Sequence, residues 1–396
     1  MNKGVAVTGM GIISAIGNNI EENYRSLLAS NSGIGCSEFL KTTHTNIPVA
    51  EIKIANETLS KHLNLSKNHS FTRAALLGSL AAKEAIEQAG IKIDDETGFI
   101  SGTSVGGMDA TENHFKEFVA GKADNKRFIR SQHPGFTTEK MAEYFGITGF
   151  VSTISTACSS GANAIMLGAR MIKAGKLKRV IVGGTDCLTK FTLNGFNALM
   201  ILSNNPCRAF DEHRNGLNLG EGAAYLVLEA EDILNGKPVL GRLKGYGNAN
   251  DAFHQTASSE NGEGAYLAMQ EAIKSAGITP GEIDYINAHG TATKNNDLSE
   301  SRAIQRIFEA GIPDFSSTKA FTGHSLAAAG ALEAVYSLLS LSKQEIYPNL
   351  NFSQAMPETG LKPVTEVKQK KLNLVLSNSF GFGGNCTSLI FAKDEA

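Results

Sequence analysis

Short apolar runs alternate along the chain with longer segments rich in alanine, leucine and glutamate. Residues 5–8, 179–182 and 224–228 are largely apolar runs of the length of a buried strand, and the first two end at glycine. Residues 71–89 favour a helix, which Gly90 should end because glycine accepts the left-handed conformation of a helix C-cap. Alternating strands and helices predict an α/β fold.

A weak internal repeat indicates that this α/β chain is duplicated. The segments EAIEQAGI (residues 84–91) and EAIKSAGI (residues 271–278) each end a predicted helix at glycine, and a strand with a small polar turn follows each of them. Two further pairs of similar segments come later in the same order, ACSSGANAI with GHSLAAAGAL and VIVGG with LVLSNSFGFGG. The shared order favours duplication over a chance match between alanine-rich helices.

The predicted halves divide at Gly236, Lys237 and Pro238, a turn-forming cluster between two strand-like runs. We therefore assign residues 1–237 to an N-terminal half and residues 238–396 to a C-terminal half. The matched segments are spaced differently in the two halves, so the first half should contain an insertion. We place this insertion at about residues 108–140.

Charge and cysteine distribution argue against several classes of protein. The net charge is −2 and no block of lysine or arginine stands out, so a nucleic-acid partner has little support. No stretch reaches about 18 apolar residues, and the N-terminal segment has a strand pattern rather than that of a signal peptide, so we expect a cytoplasmic protein without a membrane span. The five cysteines are dispersed and form no CxxC pair, which argues against a disulfide framework or a zinc site.

Cys158 lies where a polar segment meets a helix of small residues, in the sequence STACSSGANAIMLGARMI. At such a helix N-terminus, free N–H groups and the positive end of the helix dipole should lower the pKa of the thiol. The same N–H groups can bind a developing oxyanion. A buried structural cysteine is the alternative, and this segment alone does not decide between the two.

Two histidines and two phenylalanines lie at predicted turns. His289 follows a strand at residues 284–287, and ligands of open α/β sheets bind beyond the carboxyl ends of strands. A loop histidine with satisfied hydrogen bonds is the alternative for His289. His324 opens a predicted helix, where it should remain neutral and donate a hydrogen bond to a carbonyl. Phe380 and Phe382 lie in the glycine-rich turn SNSFGFGGNC, where they either gate a pocket or pack in the core.

Several of these segments together resemble a known family. In chain order, VAVTGMGIIS, TACSSG, FDEHRNGLNLGEGAAYLVLE, NAHGTATKNND, KAFTGHSLAAAGALEA and NSFGFGGN are similar to motifs of the β-ketoacyl-acyl carrier protein synthases. The match is to the elongating condensing enzymes with a Cys-His-His site, and it covers essentially the whole chain. The resemblance implies an α/β thiolase fold, two similar βαβαβαββ halves in a layered α-β-α-β-α architecture, which agrees with the repeat.

The resemblance also implies catalytic roles for individual residues. Cys158 matches the acylated nucleophile, and His289 and His324 match the pair that hydrogen-bonds the malonyl thioester carbonyl and promotes decarboxylation. Lys319 matches a lysine that supports the site electrostatically. Glu300 matches an acidic residue that pairs with this lysine.

An oxyanion hole and a set of substrate-binding residues are implied in the same way. The backbone N–H groups of Cys158 and Phe380 match the oxyanion hole, and Phe380 also matches the gating phenylalanine. Thr291 and Thr293 match the threonines that bind the phosphopantetheine arm. The other residues expected to contact the substrate are Val105, Met108, Phe196 and Phe382.

The reaction implied by the resemblance is a decarboxylative Claisen condensation of an acyl group on Cys158 with malonyl-acyl carrier protein, in fatty acid, polyene or polyketide biosynthesis. No metal or organic cofactor of the enzyme is expected, because the phosphopantetheine belongs to the carrier protein. That carrier is the expected partner, and Lys61, Lys67 and Arg73 are candidates for its docking. A homodimer is expected, with a heterodimer of related synthase subunits as the alternative.

Two other functions remain open at this point. A thiolase would share the fold, but it needs a second catalytic cysteine, for which Cys386 is the candidate, and it uses one histidine where this chain supplies two. A chain-length factor, the non-elongating subunit of a synthase heterodimer, lacks the nucleophile that this chain keeps. The motifs CSSGANAI and NAHGTATKNND, the latter with Asn295 and Asn296, differ from those usual in enzymes of housekeeping fatty acid synthesis. These differences bear on the identity of the substrate more than on the type of reaction.

Overall fold

The computed structural model describes residues 4–122 and 126–394 and folds them around one ten-stranded sheet, with two short two-stranded ribbons beside it. The ribbons are formed by β2 with β3 and by β11 with β12. The strands in chain order are β1 (Val5–Ser14), β2 (Ile34–Gly35), β3 (Val49–Ala50), β4 (Thr97–Gly102), β5 (Val151–Ile154), β6 (Arg179–Asp186), β7 (Gly222–Ala230), β8 (Gly241–Asn250), β9 (Tyr285–Asn287), β10 (Asp314–Ser316), β11 (Glu345–Ile346), β12 (Lys368–Gln369), β13 (Leu374–Phe380) and β14 (Asn385–Ala392).

The order of strands in the sheet shows the duplication that the repeat predicts. From one edge to the other, the order is β10-β9-β13-β14-β8-β1-β7-β6-β4-β5. Each half contributes five strands to this sheet, in the order β1-β7-β6-β4-β5 in the first half and β8-β14-β13-β9-β10 in the second. Counted along the chain within each half, both orders read first, fifth, fourth, second and third. In both halves the first two pairings are antiparallel and the last two are parallel.

The two halves meet where β1 pairs with β8. These strands are antiparallel, with Ala6 opposite Arg242 and Val7 opposite Gly241. The half boundary placed at residue 237 lies in the connection between β7 and β8. The connection between β4 and β5 is long and contains α4, α5 and α6, whereas the matching connection between β9 and β10 contains one helix, α10.

Helices cover the strands of both halves in layers. Outer helix α3 packs on β1 and β7, outer helix α9 packs on β8 and β14, and α7 and α12 contact each other between the two halves. Because α12 also packs on β7 and α7 on β14, the central helix pair separates the strands of the two halves into two β layers, which gives the expected α-β-α-β-α architecture. No helix in residues 4–122 or 126–394 is long and apolar enough to cross a membrane. The α-helices formed by these residues are α1 (Ile20–Leu28), α2 (Asn56–His62), α3 (Arg73–Ala89), α4 (Met108–Val119), α5 (Lys126–Ile129), α6 (Pro134–Phe145), α7 (Ser160–Lys173), α8 (Lys190–Ala198), α9 (Glu263–Ala276), α10 (Lys294–Ile307), α11 (Lys319–Thr322) and α12 (Ala329–Lys343).

The ends of the two repeated helices follow from local sequence. Helix α3 begins at Arg73 because the Thr72 hydroxyl caps it by accepting the N–H of Ala75. It ends at Gly90, which has a φ of 59°, and the equivalent helix α9 ends at Gly277 with a φ of 67°. Glycine adopts this left-handed conformation without steric cost, so both predicted ends are confirmed.

Small residues let the two central helices approach each other closely. A Cβ on Gly161 would lie 2.7 Å from the Ala327 carbonyl oxygen, and a Cβ on Gly330 would lie 2.9 Å from the Cβ of Ala162. Larger side chains at these glycines would separate α7 from α12. This close packing brings together the segments that precede the two helices, and these segments carry Cys158 and His324.

Candidate active site

A cavity of about 470 Å³ is lined by residues from both halves of the fold. Cys158 reaches it from the first half, and His289 and His324 reach it from the second half. Phe380 and Phe382 also line this cavity. The structure therefore brings the predicted nucleophile and both predicted histidines into one space, although they are far apart along the chain.

A tight turn before α7 positions Cys158. Ala157 has a φ of +50°, a conformation that costs a residue with a Cβ about 1–3 kcal/mol. The backbone N–H and the hydroxyl of Ser160 both donate to the Ala157 carbonyl, at 3.1 and 2.6 Å, and hold the turn. The Cys158 side chain is consequently almost fully buried at the wall of the cavity.

Burial raises the pKa of the Cys158 thiol to about 11, so the lowered pKa expected from the helix N-terminus is wrong. The backbone N–H of Phe382, the charge of Lys319 and the backbone N–H of Cys158 itself all lower the pKa. Together they do not outweigh the loss of hydration that the thiolate suffers inside the protein. At neutral pH the free protein therefore carries Cys158 as a thiol, which must lose its proton in order to react.

The alkylation of Cys158 by iodoacetamide should accelerate about tenfold per pH unit between about pH 7 and about pH 10, because only the thiolate reacts. The rate is measured on the Cys158 peptide by mass spectrometry, with the peptide of exposed Cys36 as an internal reference. A plateau for Cys158 below about pH 8 would instead mean that the helix N-terminus stabilises the thiolate.

His289 and His324 meet edge to face, with ring centroids 5.5 Å apart and an interplanar angle of 86°. Burial lowers the pKa of each ring well below its usual value, and the charge of Lys319 adds to both shifts. Both rings are therefore neutral, as predicted for His324. The main cause is burial rather than a helix N-terminus. Helix α12 begins only at Ala329, beyond His324.

Lys319 determines which nitrogen of His289 carries the proton. The Lys319 Nζ lies 3.2 Å from His289 Nδ1, and it also donates to the His289 carbonyl oxygen and to the Glu333 carboxylate. An ammonium group can only donate, so Nδ1 must accept and the ring proton resides on Nε2. His289 therefore has its Nε2–H left to donate to another group.

The ionic partner of Lys319 is Glu333, so the predicted pairing of Lys319 with Glu300 is wrong. Glu300 instead accepts the N–H groups of His289 and of the following residue, at 2.9 and 2.8 Å, and the side-chain amide of Asn378 at 3.1 Å. Burial raises the pKa of Glu300 to about 7, against the effect of these donors. Glu300 thus holds the backbone of the turn that carries His289.

Sequence reasoning missed Glu333, although a signal for it was present. Glu333 is the only charged residue in the run LAAAGALEAVYSLLSL, which begins at Leu326 and forms a buried helix. A carboxylate in such a run needs a partner, because an unpaired buried charge is costly. Lys319, the first residue of the short helix α11 that precedes α12, supplies that partner.

The backbone N–H that faces the Cys158 sulfur belongs to Phe382, not to Phe380 as predicted. Phe380 is the last residue of β13 and pairs with Cys386 across the hairpin, so its backbone belongs to the sheet. Phe382 begins the 3₁₀ turn Phe382–Gly384 that follows this strand. The strand extends further into the glycine-rich motif than its composition indicates, and the N–H that lowers the pKa of the Cys158 thiol comes from the turn beyond the strand.

The two phenylalanine rings also occupy different positions. The ring of Phe382 stacks on Phe196, with centroids 5.6 Å apart and an interplanar angle of 20°. The ring of Phe380 lies against His289, with centroids 5.6 Å apart. Phe382 therefore places its N–H at the Cys158 thiol and its ring against the apolar wall, whereas Phe380 does not.

Asn385, a further residue that sequence reasoning missed, ties the Phe382–Gly384 turn to the start of α7. Its Oδ1 accepts from the Ser159 hydroxyl at 2.7 Å and from the side-chain amides of Asn163 and Asn248 at 2.7 and 3.0 Å. These bonds fix the turn against the nucleophile because Asn385 directly follows it. The asparagine that ends NSFGFGGN was a visible signal for this role.

The predicted substrate-binding residues divide into two groups. Thr291 and Thr293 line the cavity with their hydroxyl oxygens 2.9 Å apart, and Phe196 lines it as well. Val105 and Met108 do not line this cavity. They belong to an adjacent apolar cluster, which Phe196 also contacts.

One of the three docking candidates is not available at the surface. Arg73 is buried, and its guanidinium donates to both carboxylate oxygens of Glu221 at 2.9 and 2.7 Å. A buried and paired arginine cannot guide a partner, so the prediction of Arg73 as a docking residue is wrong. Lys61 and Lys67 are exposed.

Comparison with known proteins agrees with this arrangement. The family models for the N-terminal and C-terminal domains of beta-ketoacyl synthase match residues 2–232 and 240–353. The 3-oxoacyl-[acyl-carrier-protein] synthase 2 of Staphylococcus aureus (strain N315) is 33% identical over 412 residues, which cover 100% of this chain and 99% of that protein.

Solved structures extend the likeness to the whole fold. The ishigamide ketosynthase/chain length factor matches with a TM-score of 0.94 and 28% identity, over 100% of both chains. A ketosynthase from Xenorhabdus doucetiae, solved in complex with its chain length factor, matches with a TM-score of 0.85 and 32% identity over 99% of this chain and 98% of that one. The chain therefore has the thiolase fold and belongs to the β-ketoacyl synthase family.

Proposed function

We propose that this protein condenses an acyl group, held as a thioester on Cys158, with malonyl-acyl carrier protein to give β-ketoacyl-acyl carrier protein. The observation that carries the proposal is the meeting of a thiol and two neutral histidines in one cavity. Fatty acid, polyene or polyketide biosynthesis is the proposed setting. A chain-length factor without catalysis would have no use for this set of groups.

The first half-reaction loads Cys158. The sulfur attacks the acyl-carrier thioester as its proton leaves, and the N–H groups of Cys158 and Phe382 stabilise the tetrahedral oxyanion. The bond to the carrier sulfur then breaks, and the carrier departs as a thiol with the proton. The raised pKa of Cys158 means that deprotonation is part of this step rather than a property of the resting protein.

The second half-reaction forms the carbon–carbon bond. The bond between the malonyl carboxylate and its α-carbon breaks, CO₂ leaves, and the electron pair forms a thioester enolate. The Nε2–H of His289 and a ring N–H of His324 donate to the enolate oxygen, inside a site where burial strengthens such bonds. The enolate carbon attacks the acyl carbonyl, and the Cys158 sulfur leaves and recovers a proton.

The cavity wall offers both kinds of contact that an acyl carrier substrate needs. The hydroxyls of Thr291 and Thr293 are suited to the polar phosphopantetheine arm, which belongs to the carrier and is therefore part of the substrate. Phe196, Ile201 and Leu217 provide an apolar wall for the acyl chain. A reducing compartment such as the cytoplasm is the proposed location, because the reaction needs Cys158 as a free thiol.

A second synthase-like subunit is the proposed assembly partner, either another copy of this chain or a related chain. The ketosynthase from Xenorhabdus doucetiae was solved in complex with a chain length factor. In this chain, β5 is an edge strand of the sheet, and Phe150 and Val151 expose their apolar side chains there. An edge strand with exposed apolar residues is suited to pairing with another subunit.

The function is tested with wild type and His289→Ala incubated with a panel of acyl-carrier thioesters and malonyl-carrier. Intact-protein mass spectrometry should show an acyl mass on wild-type Cys158. After condensation with malonyl-carrier, CO₂ and β-ketoacyl-carrier should have formed in equal amounts. In His289→Ala, loading should persist while CO₂ release falls about 10²–10³-fold, because one enolate donor is lost. If wild-type Cys158 gains no acyl mass from any donor, the proposal is wrong.

A further inference from the structure

Residues 251–258, which we call the entrance loop, form an irregular and mostly exposed segment at the cavity. Two backbone hydrogen bonds join this loop to the Phe382–Gly384 turn. The N–H of Gly383 donates to the Gln255 carbonyl at 2.8 Å, and the N–H of Asp251 donates to the Gly384 carbonyl at 2.8 Å. The loop therefore contacts the turn whose first residue faces the nucleophile.

The side chain of Asn295 joins the far end of the entrance loop to α10, next to Ser259, whose N–H and hydroxyl donate to the Asp251 carboxylate. The Asn295 Oδ1 accepts the N–H of Ser258 at 2.6 Å, and its Nδ2 donates to the Ser258 carbonyl at 3.0 Å. Among the residues that the structure describes, these are the only hydrogen bonds between α10 and the loop. Asn295 lies in the first turn of α10 and is one of the two asparagines of NAHGTATKNND.

The turn beyond the loop depends on this support for its shape. Gly383 and Gly384 have φ values of 82° and 83°, so the turn has a conformation that little besides glycine adopts. Glycine also makes a backbone mobile, and the Gln255 carbonyl holds the N–H in the middle of the turn. A displaced Gln255 would allow Phe382 to move relative to the Cys158 sulfur.

We propose that Asn295 is a positioning residue that holds the entrance loop, and through Gln255 and Gly383 sets the Phe382 N–H at Cys158. The inference rests on the proposed function, because it assigns to Asn295 the alignment of the oxyanion hole for loading. Asn295 lines the cavity, but its side-chain hydrogen bonds go to the Ser258 backbone and not to Cys158, His289 or His324. Its effect passes along hydrogen bonds to the Phe382–Gly384 turn.

Hydrogen exchange of the full-length protein tests the structural link without any substrate. In Asn295→Ala, amides of residues 252–258 and of residues 381–384 should both exchange about tenfold faster than in wild type. The matched control is Arg302→Ala. Arg302 also lies in α10, but it donates to the carbonyl oxygen and the carboxylate of Glu260, which lies just outside the loop. Exchange at residues 381–384 should not change in this control.

Two reactions of Cys158 distinguish a displaced oxyanion donor from a general disturbance of the active site. Loading by an acyl-carrier thioester needs the oxyanion donor, whereas alkylation by iodoacetamide does not. Asn295→Ala should slow loading about tenfold without slowing alkylation. Asn295→Asp keeps the acceptor for the Ser258 N–H and should have an intermediate loading rate.

The outcomes are distinct. Unchanged exchange at residues 381–384 in Asn295→Ala overturns the proposal, and so does an equal loss of loading and alkylation. Faster exchange at both segments together with selective loss of loading supports it. If the wild-type protein is not loaded by any thioester, the proposed function fails, and hydrogen exchange alone then decides whether Asn295 positions the turn.

Discussion

Cys158→Ala should abolish the acyl mass and lower condensation by roughly 10⁴-fold or more, because no other group can carry the covalent intermediate. The fold should survive, since the change removes one sulfur atom from a buried position and leaves both histidines in place. The measurements are intact mass after incubation with an acyl-carrier thioester, and the yield of β-ketoacyl-carrier after addition of malonyl-carrier.

Cys386→Ala is the matched control, because Cys386 is also buried and lines the same cavity. This variant should load normally and condense at a rate within about threefold of wild type, since the proposed mechanism gives Cys386 no role. A loss of activity in Cys386→Ala as large as in Cys158→Ala would favour a thiolase with two catalytic cysteines. Persistent loading of Cys158→Ala would mean that another residue is the nucleophile.

Glu333→Ala should lower the free energy of unfolding by about 3–5 kcal/mol, because it leaves the Lys319 ammonium buried without its ionic partner. It should also reduce condensation, since Lys319 is then no longer held at His289 Nδ1. Urea unfolding followed by circular dichroism measures the stability. The exposed pair of Lys178 with Glu96 provides the control, and Glu96→Ala should change the stability by less than about 1 kcal/mol.

The double variant Lys319→Met with Glu333→Leu separates stability from catalysis. Replacing both members of a buried pair with apolar residues of similar size is often neutral or stabilising, so most of the lost stability should return. Condensation should not return, because His289 Nδ1 still lacks its donor. Recovery of both quantities together would show that Lys319 acts on the fold alone.

The position of the site was predictable because its main residues lie at the ends of recognisable elements. Cys158 precedes a small-residue helix, His289 follows a strand, and His324 lies shortly before the equivalent helix of the second half. These are local features, and the repeat relates two of them. The duplicated sheet was predictable for the same reason, although the pairing of β1 with β8 has no local signal.

The partners of these residues were less predictable, because they depend on packing between distant segments. Lys319 pairs with Glu333 rather than with Glu300, and both carboxylates are buried. The partner of Lys319 is the carboxylate that the fold places next to its ammonium group. The order of residues along the chain does not show which of the two carboxylates this is.

Electrostatic predictions failed where burial outweighed local dipoles. The helix N-terminus near Cys158 does favour the thiolate, but burial has the larger effect on its pKa. The degree of burial depends on the Phe382 turn and on α12, which come from the other half of the chain. The position of Phe380 at the end of a strand could not be predicted locally either, because the length of that strand follows from its pairing with β14.

The place of β1 in the sheet has a consequence for the time course of protein synthesis. Val5 pairs with Ala230 and Ala6 pairs with Arg242, so β1 lies between strands that a ribosome produces much later. At about 5–20 residues per second, roughly 10–45 s pass between the synthesis of β1 and that of β7. The apolar strand that begins the fold must therefore stay unpaired on the nascent chain, and assembly should start from β4, β5 and β6.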